Sequence, residues 1–457
     1  MNSVENEILQ KLDVMEKNNK QKAASLTKIS KVTDYHFLVR TENDLEIWSD
    51  AFQKAVDENE IVVIPAKQTP YYIDKSIIIP SNRHIEAEDG AVMRQVEGVR
   101  VLMLRNSSTQ NGAKLPIKNM KKDSNISICG GRWEETCTRR GGYGLSGMYD
   151  EDRSFFGVST CMFFNNMENL TLQNMTFEHT GGFAIQIGDI KNVLVENISF
   201  EECFADGVHI NGNTENIIVR NIAGEVGDDL VAMNMYDWQD SSVNFGPLKT
   251  ALCENLHLSP DGRYKALRIL PGTYYYEDGS SVDCSINDVI IRNVEGINTF
   301  KLYFQTPPYD IGGEREKGNI GSGGNIFFEN INIDLDAPID LLEEYKNSDS
   351  VRGAFAAFEI GADIGNLNLE NINLTLHKDI YPLSYLLCCG PKSAIVNGRE
   401  VFDPYINGTV ENLYLKDIYV NDEKLSSIDG QIKTTSFDDI NNDGESSGKG
   451  IIKAVEL

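Results

Sequence analysis

The sequence predicts an all-β protein: a single-stranded right-handed parallel β-helix, that is a solenoid, with an N-terminal capping helix. Three observations lead there. A short phrase recurs: Asn, three apolar or β-prone residues, one variable residue, Asn or Asp again, then another apolar residue. It reads NLTLQNMTF at 169–177, NVLVENISF at 192–200 and NIIVRNI at 216–222, so the leading positions stand 23 and 24 residues apart. It returns at 288–294 (DVIIRNV), 325–331 (NIFFENI), 366–372 (NLNLENI) and 412–418 (NLYLKDI), with longer intervals that inserted loops would produce. A period in this range marks a solenoid, propeller or array. Within each copy the apolar residues alternate with period two and are rich in Val, Ile, Phe and Leu, which specifies strand over helix. Asn tolerates the left-handed backbone of a tight corner. One such unit cannot bury its own apolar face; stacking coils about 4.8 Å apart does so and lays identical Asn side chains in a ladder. A leucine-rich repeat would need a Leu consensus, and a propeller four strands per period.

The elements follow in order. Residues 1–30 form a polar N-terminal segment in which Ile8, Leu9, Leu12 and Met15 make one weak helical stripe, expected as a surface or oligomer-contact helix. Residues 44–57 (DLEIWSDAFQKAVD) read as an amphipathic helix with Trp48, Phe52 and Val56 on one face. It is placed to close the open end of a solenoid, which needs capping. Strands follow at 61–64 and 76–79, and a single β-helix domain is expected over 31–430. Residues 431–457 read as a C-terminal tail with a polar stretch at 438–449. That stretch starts like a calcium loop at Asp439, Asn441 and Asp443, but the twelfth position is Gly450 where a bidentate Glu is required.

Composition excludes several classes. Lys plus Arg is 42 and Asp plus Glu is 69, a net charge of −27 in 457 residues. A polyphosphate needs a basic face, so nucleic acid is not an expected partner. The same charge opposes a long polyanionic polysaccharide. No stretch approaches the roughly 20 apolar residues of a membrane span, and residues 1–30 lack the apolar run of a signal peptide. The eight cysteines form no CxxC pair and no zinc spacing. Reduced thiols in the cytoplasm are expected, with no cofactor and no metal. Association with a second copy is left open.

Polar side chains on adjacent coils come into register, so acids one coil apart meet. Asp206 lies in FADG at 204–207, and Asp228 and Asp229 lie in GDDL at 227–230, 22 and 23 residues later. A lone Asp-Gly or Gly-Asp-Asp is a common turn. Two such turns placed after the same repeat phrase bring three carboxylates together, and mutual repulsion raises the pKa of one. A glycosidase needs that arrangement: one protonated acid for the leaving oxygen and one carboxylate to activate water.

On these residues the chain resembles the polygalacturonase family of glycoside hydrolases, family twenty-eight, in the pectin-lyase-like β-helix superfamily. The resemblance runs from about 40 to 420. It is sharpest over 150–275, with DRSFFGVSTCMFF at 152–164, FADGVHI at 204–210 and GEVGDDLVAMN at 224–234. It implies that Asp228 is the general acid, that Asp206 and Asp229 hold and deprotonate the attacking water, and that the configuration inverts. Arg268, in LRILPG at 267–272, matches the arginine of the family's Arg-Ile-Lys and would sit near the sugar ring. Two departures stand out. Leu270 replaces the lysine that helps bind a galacturonate carboxylate, and the Gly-His-Gly segment is replaced by NMYDWQDSS at 234–242. A neutral or short α-linked oligosaccharide is therefore the expected substrate.

Tyr236 and Trp238 follow the acids, and Tyr274, Tyr275 and Tyr276 follow Arg268, so aromatic faces for sugar stacking are expected there. Trp133, Tyr143 and Tyr149 are candidates from an earlier coil; each of these aromatics could equally be core. His209, two residues from Gly207 and three from Asp206, is a binding or polarising candidate; Arg153, Gln186 and Glu359 are weaker ones. Two other functions compete. A uronate lyase or epimerase on the same scaffold would use Arg268 or His209 as base. A glycan-binding or structural β-helix would need no clustered acids.

Overall fold

Asparagine sets the corners of each coil. Asn169, Asn192 and Asn216 have φ of 61°, 63° and 58°, and Asn174, Asn197 and Asn221 have 56°, 57° and 56°. This left-handed conformation strains most L-residues and suits Asn, whose short amide also bonds locally. The amides then ladder along the axis. Asn216 Nδ2 donates to Asn192 Oδ1 at 2.9 Å, Asn192 to Asn169 at 3.0 Å and Asn169 to Asn125 at 2.9 Å. A second ladder runs from Asn174 through Asn197, Asn221, Asn255 and Asn293 to Asn330.

The computed structural model describes residues 3–99, 101–109, 121–140, 160–237, 242–276, 278–303, 321–336, 355–381, 384–390, 393–396, 399–402, 408–434 and 450–457. Twenty-eight of its strands join one sheet, whose coil-to-coil pairings are parallel. Register stacks like on like. Leu170 pairs with Val193, Val193 with Ile217, Ile217 with Ala251, Ala251 with Val289 and Val289 with Ile326. These inward positions form one continuous buried core. At roughly 1.5–3 kcal/mol for each large aliphatic side chain removed from water, such stacks are the main stabilising contribution. The expected solenoid is what the chain builds.

The N-terminal cap forms, starting five residues later than its sequence pattern suggests. The helix α2 is Ser49–Glu58, and Trp48, Phe52 and Val56 are buried against Tyr71 and the first coil. Leu45–Ile47 is instead a strand, paired antiparallel with Arg40–Glu42. Asn43 and Asp44 both have positive φ, the backbone of a tight two-residue hairpin, and that turn chemistry overrides the helical pattern.

The N-terminal helix α1, Ser3–Ala24, lies along the outside of the solenoid. Ile8, Leu12 and Met15 pack on Leu194, Ile218, Leu252, Ile290 and Phe327, an outward-facing apolar row built by one residue from each of five coils. The weak stripe thus contacts its own chain. The tail also contributes strands: Ile432–Thr434 pairs with Ser384–Cys389, and Gly450–Glu456 pairs with Gly408–Val420. The calcium-like residues 439–443 lie outside the described residues. Among the described residues no helix is long and apolar enough to cross a membrane.

Candidate active site

Asp206, Asp228 and Asp229 sit at one edge of the strand stack, in turns that lie directly on each other. Gly207 N–H donates to Asp229 O at 3.0 Å and Val208 N–H to Leu230 O at 3.1 Å. Strand Val208–Asn211 then pairs with Val231–Asn234. The close approach needs glycine: a Cβ on Gly227 would stand 2.4 Å from Phe204 O. Oxygens of the three carboxylates all lie within 4.8 Å of one another, and the residues are 1%, 7% and 0% exposed. That spread would also suit a bridging cation, but Arg268 supplies positive charge to the cluster.

Arg268 reaches it because Ala266–Leu270 is the next coil, with Asn234 opposite Leu270. Its Nε pairs with Asp229 Oδ2, its Nη2 with Asp228 Oδ1, and Nη2 stands 4.0 Å from Asp206 Oδ1. Its backbone N–H donates to Asp229 Oδ1 at 3.2 Å. Arg140 Nη2 holds the other oxygen of Asp228 at 2.5 Å. His209 Nδ1 stands 2.6 Å from Asp206 Oδ2, its ring stacked on Phe183 with centroids 3.9 Å apart.

These contacts divide the three acids. Burial and the Asp228 charge push the Asp206 carboxyl above its ordinary pKa, against the pull of His209. Burial also pushes Asp229 well up, with Arg268 opposing. For Asp228, burial is outweighed by Arg268 and Arg140, which hold it below the usual value. Two neighbours contend for His209 Nε2: the Asn211 amide nitrogen at 3.1 Å and Asp237 Oδ2 at 3.4 Å. The Asn211 amide is oriented by other bonds, from Val243 N–H and to Asn234 O. The Asn211 amide nitrogen can only donate, so that hydrogen bond makes Nε2 an acceptor and leaves the ring proton on Nδ1, toward Asp206. Burial opposes a second proton, and the Asp206 and Asp237 carboxylates favour one, raising the ring's pKa to about 9.

The structure places the remaining candidates as follows. Tyr236 and Tyr274 are corrected from sugar-stacking surfaces to packed core: Tyr236 is 0% exposed, and Tyr274 is 4% exposed with its ring flat on Phe245 at 3.7 Å. The chain turns Tyr236 inward after Asn234, where it meets Gly272. Trp133 is likewise core, its indole N–H donating to Gly130 O at 3.2 Å. Gln186 donates to Asn211 Oδ1 at 2.9 Å, behind His209. Glu359 stands in register with Lys301. Leu270 shares the face of Arg268, so the site carries an apolar side chain at that point. Trp238, Tyr143, Tyr149 and Arg153 lie outside the described residues.

Arg140, Asp237, Lys301 and Tyr264 had no place in the sequence reading. Arg140 comes from 88 positions before Asp228, with no period to signal it. Asp237 lies within the segment that departs from the family pattern. Lys301 was legible: it follows Arg268 by 33 positions, the same interval as from Asn255 to Asp288. Its Nζ donates to Tyr264 Oη at 2.7 Å, and the Arg268 guanidinium lies 5.1 Å from the same ring.

No known protein family and no curated protein matches the sequence. Solved structures do. A family 28 exopolygalacturonase from Yersinia enterocolitica matches with a TM-score of 0.51 at 13% identity, over 94% of this chain and 78% of that one. The endo-xylogalacturonan hydrolase of Aspergillus tubingensis matches with a TM-score of 0.52 at 12% identity, over 88% of this chain and 94% of that one. A surface adhesin of Streptococcus pneumoniae matches at 0.42 and 12% identity, over 88% and 94%. The fold is a right-handed, pectin-lyase-like β-helix. At these identities the likeness speaks to the scaffold alone; chemistry has to be argued from the side chains.

Proposed function

We propose that this protein is a glycoside hydrolase that cleaves an α-linked bond of an oligosaccharide, with Asp206, Asp228 and Asp229 as its acid–base set. The observation that carries this reading is three carboxylates within 4.8 Å in register on adjoining coils. The resemblance to polygalacturonases assigns Asp228 as general acid, yet two guanidiniums hold it ionised in the unliganded site. Charge balance resolves this. Arg140 and Arg268 both bear on Asp228. The Arg140 side chain is 44% exposed, against 18% for Arg268 and 1% for His209, so it is the cation an entering sugar displaces. Losing that guanidinium raises the Asp228 pKa, and the proton that burial favours on Asp206 or Asp229 can then rest on Asp228. In the displacement, water oxygen bonds to the anomeric carbon as the glycosidic bond breaks. The Asp228 proton passes to the leaving oxygen, and a water proton passes to Asp206, assisted by Asp229.

One observation favours a second course. Inverting pairs usually stand about 6.5–9.5 Å apart, and retaining pairs about 5–5.5 Å. The spacing here suits a retaining displacement through a covalent glycosyl-aspartate. Oligosaccharides with neutral and acidic sugars, assayed for new reducing ends, test hydrolysis, and proton NMR of the first-formed anomer distinguishes the two courses. Reducing ends without ultraviolet absorbance support the reading. An unsaturated absorbing product means a lyase, and binding without cleavage means a glycan receptor; either overturns it.

A further inference from the structure

We propose that the groove at the three acids is walled off on its N-terminal side, so that the site receives a chain end and releases the terminal sugar of an α-linked glycan. The inference deepens the hydrolase reading and rests on it for the reaction, while the wall itself is tested without substrate. Outward-facing residues of successive coils form one row along the strands. Arg105 pairs with Phe163, Phe163 with Gln186, Gln186 with His209 and His209 with Ala232. Asp206 opens the coil of His209, and Asp228 and Asp229 open that of Ala232. Further along, Arg268 pairs with Lys301 and Lys301 with Glu359. A glycan held by its interior needs room along this row on both sides of the acids.

On the N-terminal side that room is filled by protein. Phe163 points out of the solenoid, yet it is 0% exposed, because it packs with Leu102 and Val243 in a small apolar cluster apart from the main core. Val243 reaches it because the chain beyond Asn234 turns back over coils already laid down. Val243 N–H donates to Asn211 Oδ1 at 3.1 Å, and Asn165 Nδ2 donates to Asn244 Oδ1 at 3.0 Å. Gly212 N–H donates to Asn244 O at 3.2 Å. Between these anchors the fit is close: a Cβ on Gly188 would stand 3.1 Å from Asn244 Oδ1 and 3.2 Å from Val243 Cγ2. Phe183 covers the His209 ring, so the wall reaches the coil of Asp206 itself. Burial of apolar surface keeps such a cover in place. Beyond Arg268 the row has another chemistry: Lys301 and Glu359 carry charge, which suits bonds to sugar hydroxyls and not apolar sealing. The exposed side chain of Arg140 marks the open flank. A sugar held at the acids therefore has protein on one side and the rest of its chain on the other.

The first products formed by the full chain from α-linked hexamers of glucose and of galacturonate, labelled at the reducing end with 2-aminobenzamide, test the mode of action. Release from a chain end gives pentamer and monomer first and then shortens the pentamer stepwise. Dimers, trimers and tetramers arising together at the outset overturn the proposal. Hydroxyl-radical oxidation of the free protein, read by mass spectrometry, tests the wall. Phe163 is expected to react about tenfold or more slowly than the exposed Phe37, because a close-packed cluster leaves no path for solvent. Comparable rates at the two rings overturn the proposal. In V243G the cavity opened beside Phe163 is expected to raise its reactivity and to let internal cuts appear. Stepwise release unchanged in folded V243G, with Phe163 newly reactive, also overturns it. If no hexamer is cleaved, the hydrolase reading fails and the chain-end mode with it, while the oxidation of Phe163 still decides the wall.

Discussion

Arg268 joins the site, and Arg140 tunes it. Arg268 is packed between Asp228, Asp229 and the ring of Tyr264, whereas Arg140 touches Asp228 from the open side. This difference leads to a signed prediction. A general acid works while protonated, and Arg140 holds the Asp228 pKa down. R140Q is therefore expected to raise that pKa and move the alkaline limb of kcat/KM to higher pH. The pH profile of the variant checks this; a limb unmoved or moved downward would show that Arg140 does not govern the acid. At this scale the sequence was legible where periodicity carried the message. Asp206, Asp228 and Asp229 meet because their separation equals one coil. The tyrosines misled because aromatic character is the same in a core as on a groove, and only the turn after Asn234 decides which way Tyr236 points.

Helix α1 has an electrostatic cost built into its docking. Glu329 belongs to an outward row in which Arg292 pairs with Glu254 and Lys416 with Glu370. Glu5 of α1 is buried against it, and burial together with the Glu5 charge raises the Glu329 pKa to about 7. A carboxyl whose folded pKa is raised stabilises the fold below its unfolded value of 4.5 and loses that contribution as pH climbs through about 7. Wild-type protein is thus expected to lose unfolding resistance between pH 5 and 8, and E329Q to lose less. Chemical denaturation at both pH values measures it, and parallel losses would dismiss the Glu5–Glu329 contact as the cause. Leu12, 1% exposed on the same helix, is expected to cost about 2–4 kcal/mol on truncation to Ala if α1 unfolds with the solenoid. An early, separate loss of helical signal would show that it detaches first. The stripe of α1 was visible in sequence; its partner was not. Leu194, Ile218, Leu252, Ile290 and Phe327 each read as one outward apolar residue, and only the coil register makes them a row.

On the scale of the whole molecule, the repeat phrase carried most of the architecture. A left-handed corner, an amide ladder and alternating apolar residues all demand the same stacking, so local and global preferences agree. What the repeat could not convey is what the inserts bring to the groove, as Arg140 shows. The scaffold by itself assigns no chemistry, and the chain's net charge of −27 weighs against polyanionic ligands. Function therefore turns on a small region where two acidic turns overlie each other beside a fixed imidazole.

The most direct measurement is the rate of reducing-end release by wild type and by D206N, D228N and D229N on one substrate, with folding followed by circular dichroism. Each substitution is isosteric and removes one carboxylate. D228N is expected to lose activity by about a thousandfold or more with an intact β-sheet spectrum, and D206N and D229N to be severely impaired. Near-wild-type turnover by folded D228N would contradict the assignment of this cluster as the hydrolytic centre.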